Sequence, residues 1–62
     1  MKVIYRKQEW ELPGGMTARD VIRKVGLDPE AVLVTINGKL VPQSAVLKDE
    51  DVVKLIAVIS GG

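Results

Sequence analysis

The sequence ends in Ser60-Gly61-Gly62, directly after an apolar run over residues 55–59. Glycine has no Cβ, so this ending puts almost no atoms around the terminal carboxylate and accepts backbone angles that other residues avoid. Such a tail can lie extended in a channel too narrow for any side chain. We therefore predict that a partner enzyme threads Ser60 and Gly61 and reacts with the carboxyl group of Gly62. The alternative is a frayed chain terminus or a remnant of an expression tag, both of which are common at chain ends.

The rest of the chain offers little catalytic chemistry of its own. It contains neither histidine nor cysteine, which excludes an imidazole base, a thiolate nucleophile, a disulfide and a thiolate metal site. The carboxylates of Glu9, Glu11, Asp20 and Asp49 fall on surface faces and turns, without the paired arrangement of a general acid and base. We predict a protein that is not an enzyme, with no catalytic residue and no metal.

Length and charge narrow the class of protein further. A chain of 62 residues is one small domain, and its 47% hydrophobic content is enough for a compact core. The net charge of +1 comes from mixed acidic and basic residues and not from a basic face, which argues against nucleic acid as a partner. No apolar run approaches the roughly 20 residues of a membrane span, and the absence of cysteine suits a reducing compartment. We expect a cytoplasmic protein, monomeric when free, with no membrane partner.

The first half of the chain predicts a hairpin followed by a helix. Residues 1–5 and 8–12 have strand composition and alternation, and Arg6-Lys7 joins them. Thr17 is a good helix N-cap, and apolar residues then recur at the spacing of one helix face. Gly26, with Pro29 three residues later, ends the helix, so we place the helix between Thr17 and Val25.

The second half predicts another hairpin and a central last strand. Asn37-Gly38, between strands over residues 31–36 and 39–41, is the pair that a type I′ turn requires. An irregular stretch over residues 42–47 and a charged turn follow. The last strand, over residues 52–59, is apolar on both faces except at Lys54, which is typical of a strand in the middle of a sheet.

Hairpin, helix, hairpin and a central last strand make a β-grasp, or ubiquitin-like, α+β fold. We predict a mixed sheet of four to five strands with one helix packed on it, and the last strand parallel to the first. The domain spans residues 1–59, and residues 60–62 form a flexible tail. The predicted core consists of Val3, Tyr5, Trp10, Leu12, Val21, Ile22, Val25, Leu27, Val34, Ile36, Leu47, Val53 and Leu55.

These features resemble the ThiS/MoaD family of ubiquitin-like sulfur carriers. The resemblance covers essentially the whole chain and rests on the helix ending in Gly26-Leu27, the Ile36-Asn37-Gly38 hairpin with Val41-Pro42 after it, the acidic turn Asp49-Glu50-Asp51, and the Val58-Ile59-Ser60-Gly61-Gly62 tail. The length is closer to ThiS than to MoaD, and the Ile-Ser-Gly-Gly ending is similar to that of TtuB-type carriers. Glu50 stands where the family often has a glycine, and glutamate rarely adopts a positive φ, which leaves this turn's geometry open.

The resemblance implies a mechanism centred on Gly62. An E1-like adenylating enzyme would bind the domain and use ATP to convert the Gly62 carboxylate to an acyl-adenylate. A persulfide donor would then displace AMP and leave a thiocarboxylate. The carrier itself would hold no cofactor, and the sulfur would pass to an acceptor such as thiazole synthase, for the thiazole of thiamine.

Three alternatives stay open. The same chemistry would serve tRNA thiolation or molybdopterin synthesis. A ubiquitin-like modifier would instead join Gly62 to lysine amines of target proteins. A β-grasp module that binds RNA or protein without tail chemistry would show a basic face with exposed aromatics, whereas Tyr5 and Trp10, the only aromatics, fall at core positions.

The last strand also predicts a partner-binding surface. If Val53 and Leu55 face the helix, the alternate side chains point to the other side of the sheet. That side would carry Lys54, Ile56, Val58, Ile4 and Leu33. The open side of such a sheet is usually polar, so an apolar group beside the tail predicts a docking site for the adenylating enzyme and the sulfur acceptor. A covering loop or self-association is the alternative.

Overall fold

The structure is a computed structural model that describes residues 1–58, so the predictions for Ile59, Ser60, Gly61 and Gly62 lie outside the described residues. Two hairpins flank a single α-helix, and a final strand follows them. The elements are β1 (Lys2–Tyr5), β2 (Gln8–Glu11), α1 (Ala18–Lys24), a 3₁₀ helix (Pro29–Ala31), β3 (Val32–Ile36), β4 (Lys39–Val41) and β5 (Val52–Ala57).

The five strands form one mixed sheet in the order β2-β1-β5-β3-β4. Strand β5 lies parallel to β1, with Val3 opposite Val53, and antiparallel to β3, with Val34 opposite Leu55. Both hairpins are antiparallel, as their short turns require. The β-grasp prediction is confirmed, including the central position of the last strand and its parallel pairing with the first.

Helix α1 begins where the sequence predicts, because its first N–H groups all find acceptors. The Thr17 hydroxyl accepts from the Asp20 N–H at 3.2 Å, and the Thr17 carbonyl accepts from Val21. The loop after β4 satisfies the two remaining groups: Ala18 N–H donates to the Ala45 carbonyl and Arg19 N–H to that of Gln43. A helix of this length is marginal alone, so these bonds and the packing against the sheet hold it in place.

The helix-facing side of the sheet carries the core. Every predicted core residue is either buried or packed against the buried cluster, and Tyr5 and Trp10 belong to the second group. The structure adds three buried hydrophobic residues that the predicted core lacks, Met1, Ala18 and Val32. The fully buried cluster consists of Met1, Val3, Ala18, Val21, Ile22, Val32, Val34, Leu47, Val53 and Leu55.

Both hairpin turns contain a non-glycine residue with positive φ. At the second turn Asn37 has φ 50° and Gly38 has φ 87°, as expected for the type I′ turn. At the first turn Arg6 has φ 55°. Asparagine tolerates this left-handed conformation, whereas arginine adopts it less readily.

The acidic turn before β5 is closed by its own side chains. Asp51 N–H donates to the Lys48 carbonyl at 3.1 Å, and the Asp51 carboxylate accepts from Lys48 N–H at 2.8 Å. Within residues 1–58, Arg6 and Asn37 are the only non-glycine residues with positive φ, so Glu50 fits this turn without strain. Gly14 lies against the same turn, where an added Cβ would come within 2.4 Å of the Asp49 nitrogen. A side chain at position 14 would therefore collide with the backbone of this turn, so the close approach requires a glycine.

Four strand boundaries differ from the predictions: β1 begins at Lys2 instead of residue 1, β2 ends at Glu11 instead of residue 12, and β3 and β5 differ at one end each. Ala31 belongs to the 3₁₀ helix, because the Asp28 carboxylate accepts from Glu30 N–H and Pro29 favours a helical start, so β3 begins one residue later. Strand β5 ends at Ala57 instead of continuing through Val58. Val58 N–H still donates to the Ala31 carbonyl at 2.8 Å, which ties the end of β5 to the start of β3.

We predict that Thr17→Ala lowers the free energy of unfolding by about 1 kcal/mol, because the Asp20 N–H loses its acceptor. Urea unfolding followed by circular dichroism measures this loss. Thr17→Ser is the matched control, since it keeps the hydroxyl group and should retain most of the stability. An equal loss in both variants would show that the methyl group of Thr17, and not its cap, is what matters.

Candidate functional site

The side of the sheet opposite α1 is open in the part of the chain that the structure describes. Strand β5 alternates strictly across the sheet: Val53 and Leu55 are buried under the helix, whereas Val52, Lys54 and Ile56 are exposed. Because successive side chains of a strand point to opposite faces, this alternation settles which residues lie on the open side.

Strand register brings the predicted partner-binding residues together. Ile4 lies directly opposite Lys54 on one side of β5, and Thr35 lies opposite Lys54 on the other. Leu33 lies opposite Ile56 in the next row toward the end of β5. Neighbouring strands are about 4.8 Å apart, so these side chains form one continuous surface. We call this surface, made of Ile4, Leu33, Thr35, Leu40, Val52, Lys54, Ile56 and Val58, the open face.

Most of the apolar side chains on the open face are largely accessible to solvent. Leu33 is 45% exposed, Ile56 42% and Val58 44%, while Ile4 is half-buried between its neighbours. No loop within residues 1–58 covers them, so the covering-loop alternative fails for the described part of the chain. Large apolar side chains grouped on an exposed surface mark a site of association with another molecule.

Three residues of the open face were missed by the sequence reasoning. Val52 lies two residues before Lys54 on the same strand, so its side chain points to the same side of the sheet. This spacing alone could have identified it. Leu40 is 65% exposed and lies opposite Thr35 in the second hairpin, a register that the Asn37-Gly38 turn determines. Thr35 is nearly buried, and its hydroxyl donates to the Lys54 carbonyl at 3.0 Å.

Lys54 is the cation at the centre of the open face. It lies on the central strand, and the one ion pair found within residues 1–58 joins Lys2 of β1 to Glu9 of β2 at 3.3 Å, on the same side of the sheet. Both members of that pair are exposed, so it contributes little to stability. The open face therefore presents an apolar surface with a positive charge at its centre.

The end of β5 defines where the chain leaves the open face. Val58 is anchored to Ala31 by the backbone hydrogen bond described above, and Gly62 follows four residues later. Ser60, Gly61 and Gly62 lie outside the described residues, so their predicted roles as threading and sulfur-carrying residues stay predictions. The described residues place the start of this segment at the border of the open face.

The described residues form no enclosed site for a small ligand. Residues 1–58 enclose no pocket, contain no cluster of acidic groups able to hold a metal ion, and leave no buried side-chain polar atom without a partner. None of their helices has the length and apolar character that crossing a bilayer requires. What the described residues do present is the exposed, largely apolar open face.

Comparisons with known proteins agree with this arrangement. The model of the ThiS family matches residues 2–62. The sulfur carrier protein TtuB of Thermus thermophilus is 31% identical over a 65-residue alignment that covers all of both chains. Among solved structures, the crystal structure of the thiamine biosynthesis protein ThiS from Geobacter metallireducens superposes with a TM-score of 0.68 over the full length of both chains, at 17% identity, and so supports the fold. The chain belongs to the ThiS family of ubiquitin-like sulfur carrier proteins, as the sequence predicts.

We predict that Ile56→Asp weakens binding of an E1-like adenylating enzyme by at least about tenfold, because a buried interface would have to accept an unpaired carboxylate. Titration calorimetry measures the affinity, and circular dichroism checks that the domain remains folded. The matched control is Val46→Asp, since Val46 is 62% exposed but lies beside Thr17 at the start of the helix. Equal affinities for both variants and the parent would contradict a docking role. An oligomer that dissociates only in Ile56→Asp would identify self-association instead.

Proposed function

We propose that this protein carries sulfur as a thiocarboxylate on Gly62, formed by an E1-like adenylating enzyme and passed to a sulfur acceptor enzyme. The observation that carries the proposal is the continuity between the open face and the segment that leads to Gly61-Gly62. A partner docked on the open face would hold the start of this segment at a fixed place. Membership of a sulfur carrier family supports the same chemistry.

The proposed reaction divides the work between carrier and partner. The Gly62 carboxylate attacks the α-phosphorus of ATP and releases pyrophosphate, which gives an acyl-adenylate with AMP as a good leaving group. The terminal sulfur of a persulfide on the partner attacks the acyl carbon, and AMP departs. A second thiol then cleaves the resulting acyl disulfide, which leaves the thiocarboxylate on Gly62 and a disulfide on the partner. ATP and the persulfide belong to the partner, and the carrier holds no cofactor.

The carrier's own residues contribute binding and positioning. Its sequence has no histidine or cysteine, so acid-base and thiol chemistry must come from the partner. Leu33 and Ile56 provide apolar area for docking. Docking fixes the approach of the tail, and well-oriented reactants gain a large part of their rate from that positioning.

For the sulfur acceptor we propose first the enzyme that forms the thiazole of thiamine. The match to the ThiS family favours this choice. Thiolation of tRNA is the second candidate, favoured by the similarity to TtuB and by the Ile-Ser-Gly-Gly ending. Deleting the gene separates the two: a requirement for added thiamine supports the first, and loss of thiolated tRNA nucleosides supports the second.

A role as a ubiquitin-like protein modifier begins with the same adenylation and differs in its product. Mass spectrometry of the protein isolated from cells separates these functions, because a carrier yields a free thiocarboxylate whereas a modifier yields Gly62 in isopeptide bonds to lysine. The proposed function requires the first species.

We predict that deleting Gly62 abolishes thiocarboxylate formation. The deletion shortens the tail by about 3.5 Å, and even about 1 Å of misplacement can cost 100-fold in rate. Gly61→Val should also block the reaction, because it adds a branched side chain where the channel has no space. The measurement is intact mass after incubation with ATP, an E1-like enzyme and a sulfur donor. The parent protein should gain the mass of one oxygen replaced by sulfur, on its C-terminal peptide.

Ser44→Ala is the control for these variants, since Ser44 is exposed in the loop after β4, far along the chain from the tail. It should be converted as fast as the parent protein. Thermal unfolding of the two tail variants should match the parent, because a glycine has no side chain to contribute to a core. Conversion of the Gly62 deletion at the parent rate would show that the tail is not the reacting group and would refute the proposed function.

A further inference from the structure

A cation occupies the middle of the open face, and every residue directly around it is uncharged. Lys54 is exposed on β5, the third of the five strands. Strand register places Ile4 on one side of it and Thr35 on the other. Along β5, the nearest residues on the same side of the sheet are Val52 and Ile56, because side chains alternate between the two sides. None of these four neighbours can balance the charge of Lys54.

The carboxylates on this side of the sheet lie away from Lys54. Glu9 lies opposite Ile4 and Glu11 opposite Lys2, both on the edge strand β2. Strand β2 is two strands, or about 10 Å, away from β5. Glu9 is also engaged with Lys2 at 3.3 Å. Within residues 1–58 the Lys54 ammonium therefore forms no ion pair, and its charge faces solvent.

A partner that covers the apolar part of the open face also covers Lys54. Leu33 lies opposite Ile56, and Ile56 is two residues from Lys54 on the same strand. The distance from β5 to either edge of the sheet is two strands, which is further than a lysine side chain extends toward water at the rim. A charge that loses its water without gaining a partner is costly. The protein that docks here must therefore supply an anion.

We infer that Lys54 pairs with an aspartate or glutamate carboxylate of the adenylating enzyme at the centre of the docking interface. This inference rests on the proposed function, in which that enzyme docks on the open face. The apolar side chains around Lys54 suit a protein surface, whereas Glu9 and Glu11 on the same side of the sheet disfavour a phosphate backbone. A buried ion pair gains little over an apolar contact of the same size, so this pair selects which proteins can dock more than it tightens the complex.

The alternative is that Lys54 only keeps copies of the free carrier apart. Charged residues with that role usually lie on edge strands, where they block pairing with another sheet. Lys54 lies on the central strand, and Glu9 and Glu11 already place charges on the edge strand β2. The position of Lys54 thus favours pairing with a docked protein.

The test measures association and dissociation rates with the E1-like adenylating enzyme of the same organism, by surface plasmon resonance. Lys54→Met keeps an apolar stem and removes the charge, so the enzyme's carboxylate would be buried without a partner. Its Kd should rise about 30-fold or more, almost entirely through faster dissociation. Lys54→Arg keeps the charge and should retain most of the affinity, whereas Lys54→Glu should bind more weakly than Lys54→Met because like charges meet.

Lys24→Met is the matched control, since Lys24 is an exposed lysine in the last turn of α1, on the other side of the sheet. It removes the same charge and should leave both rates close to those of the parent. Circular dichroism should show that Lys54→Met melts near the parent temperature, because the Thr35 hydroxyl donates to the backbone carbonyl of Lys54, which the substitution keeps.

Three results would overturn the inference. Lys54→Met that binds as tightly as the parent would show that no buried carboxylate faces the lysine. A loss of affinity confined to the association rate would indicate distant attraction to an acidic surface instead of a buried pair. Lys54→Met that self-associates in sedimentation, while its monomer binds the enzyme at the parent Kd, would assign Lys54 to keeping the free carrier monomeric.

The parent protein separates failure of the inference from failure of the proposed function. If the parent is thiocarboxylated and any of these three results is found, the inference fails and the proposed function stands. If the parent is neither bound nor thiocarboxylated by the adenylating enzyme, both fail.

Discussion

The pairing of β5 with both hairpins is the interaction on which the rest of the structure depends. The hairpin β1–β2 and the hairpin β3–β4 share no edge with each other, and β5 joins them by pairing with β1 on one side and β3 on the other. Such pairing is non-local: residues from the two ends of the chain must meet before the core closes. Once β5 is in place, its alternate side chains provide both the centre of the core and the centre of the open face.

Strand β5 supplies side chains to both the core and the open face, and in a small protein these two uses compete for the same limited number of apolar residues. A domain of this size buries a modest fraction of its surface, so each apolar side chain left exposed is a loss to the core. Leu33 and Ile56 are nevertheless exposed, in a row on the two strands at the middle of the sheet. The fold compensates through fully satisfied polar groups, such as the start of α1, whose N–H groups are shared between Thr17 and the loop after β4. The core is thus built on one side of the sheet, and the other side stays exposed.

Local signals made most of the fold predictable. Thr17 and the Asn37-Gly38 pair act within a few residues, so their effects can be read from the sequence directly. The alternation in β5 likewise predicted the exposed side chains of Lys54 and Ile56, because a strand has only two faces. The family pattern added the role of Gly62, which lies beyond the described residues and stays a prediction.

The features that escaped prediction depend on contacts between distant segments. Gly14 is required because the Lys48–Asp49 backbone packs against it, and nothing near Gly14 in the sequence signals that approach. Glu50 fits its turn because Asp51 closes the turn with its own carboxylate, a different solution from the glycine often found there. The positive φ of Arg6 follows from the strand twist and register of the first hairpin, which composition alone does not reveal.

The single open face has a consequence for the timing of sulfur transfer. A partner that occupies the open face excludes every other partner that needs it. In the proposed cycle, loading and delivery must then alternate, and the loaded carrier has to dissociate from one protein before it meets the next. Differences in affinity among related complexes lie mostly in the dissociation rate, so a very tight complex is usually one that dissociates slowly. Very tight binding to either partner would therefore slow the whole cycle. The modest size of the face, with Lys54 interrupting its apolar surface, is consistent with complexes that form readily and separate quickly.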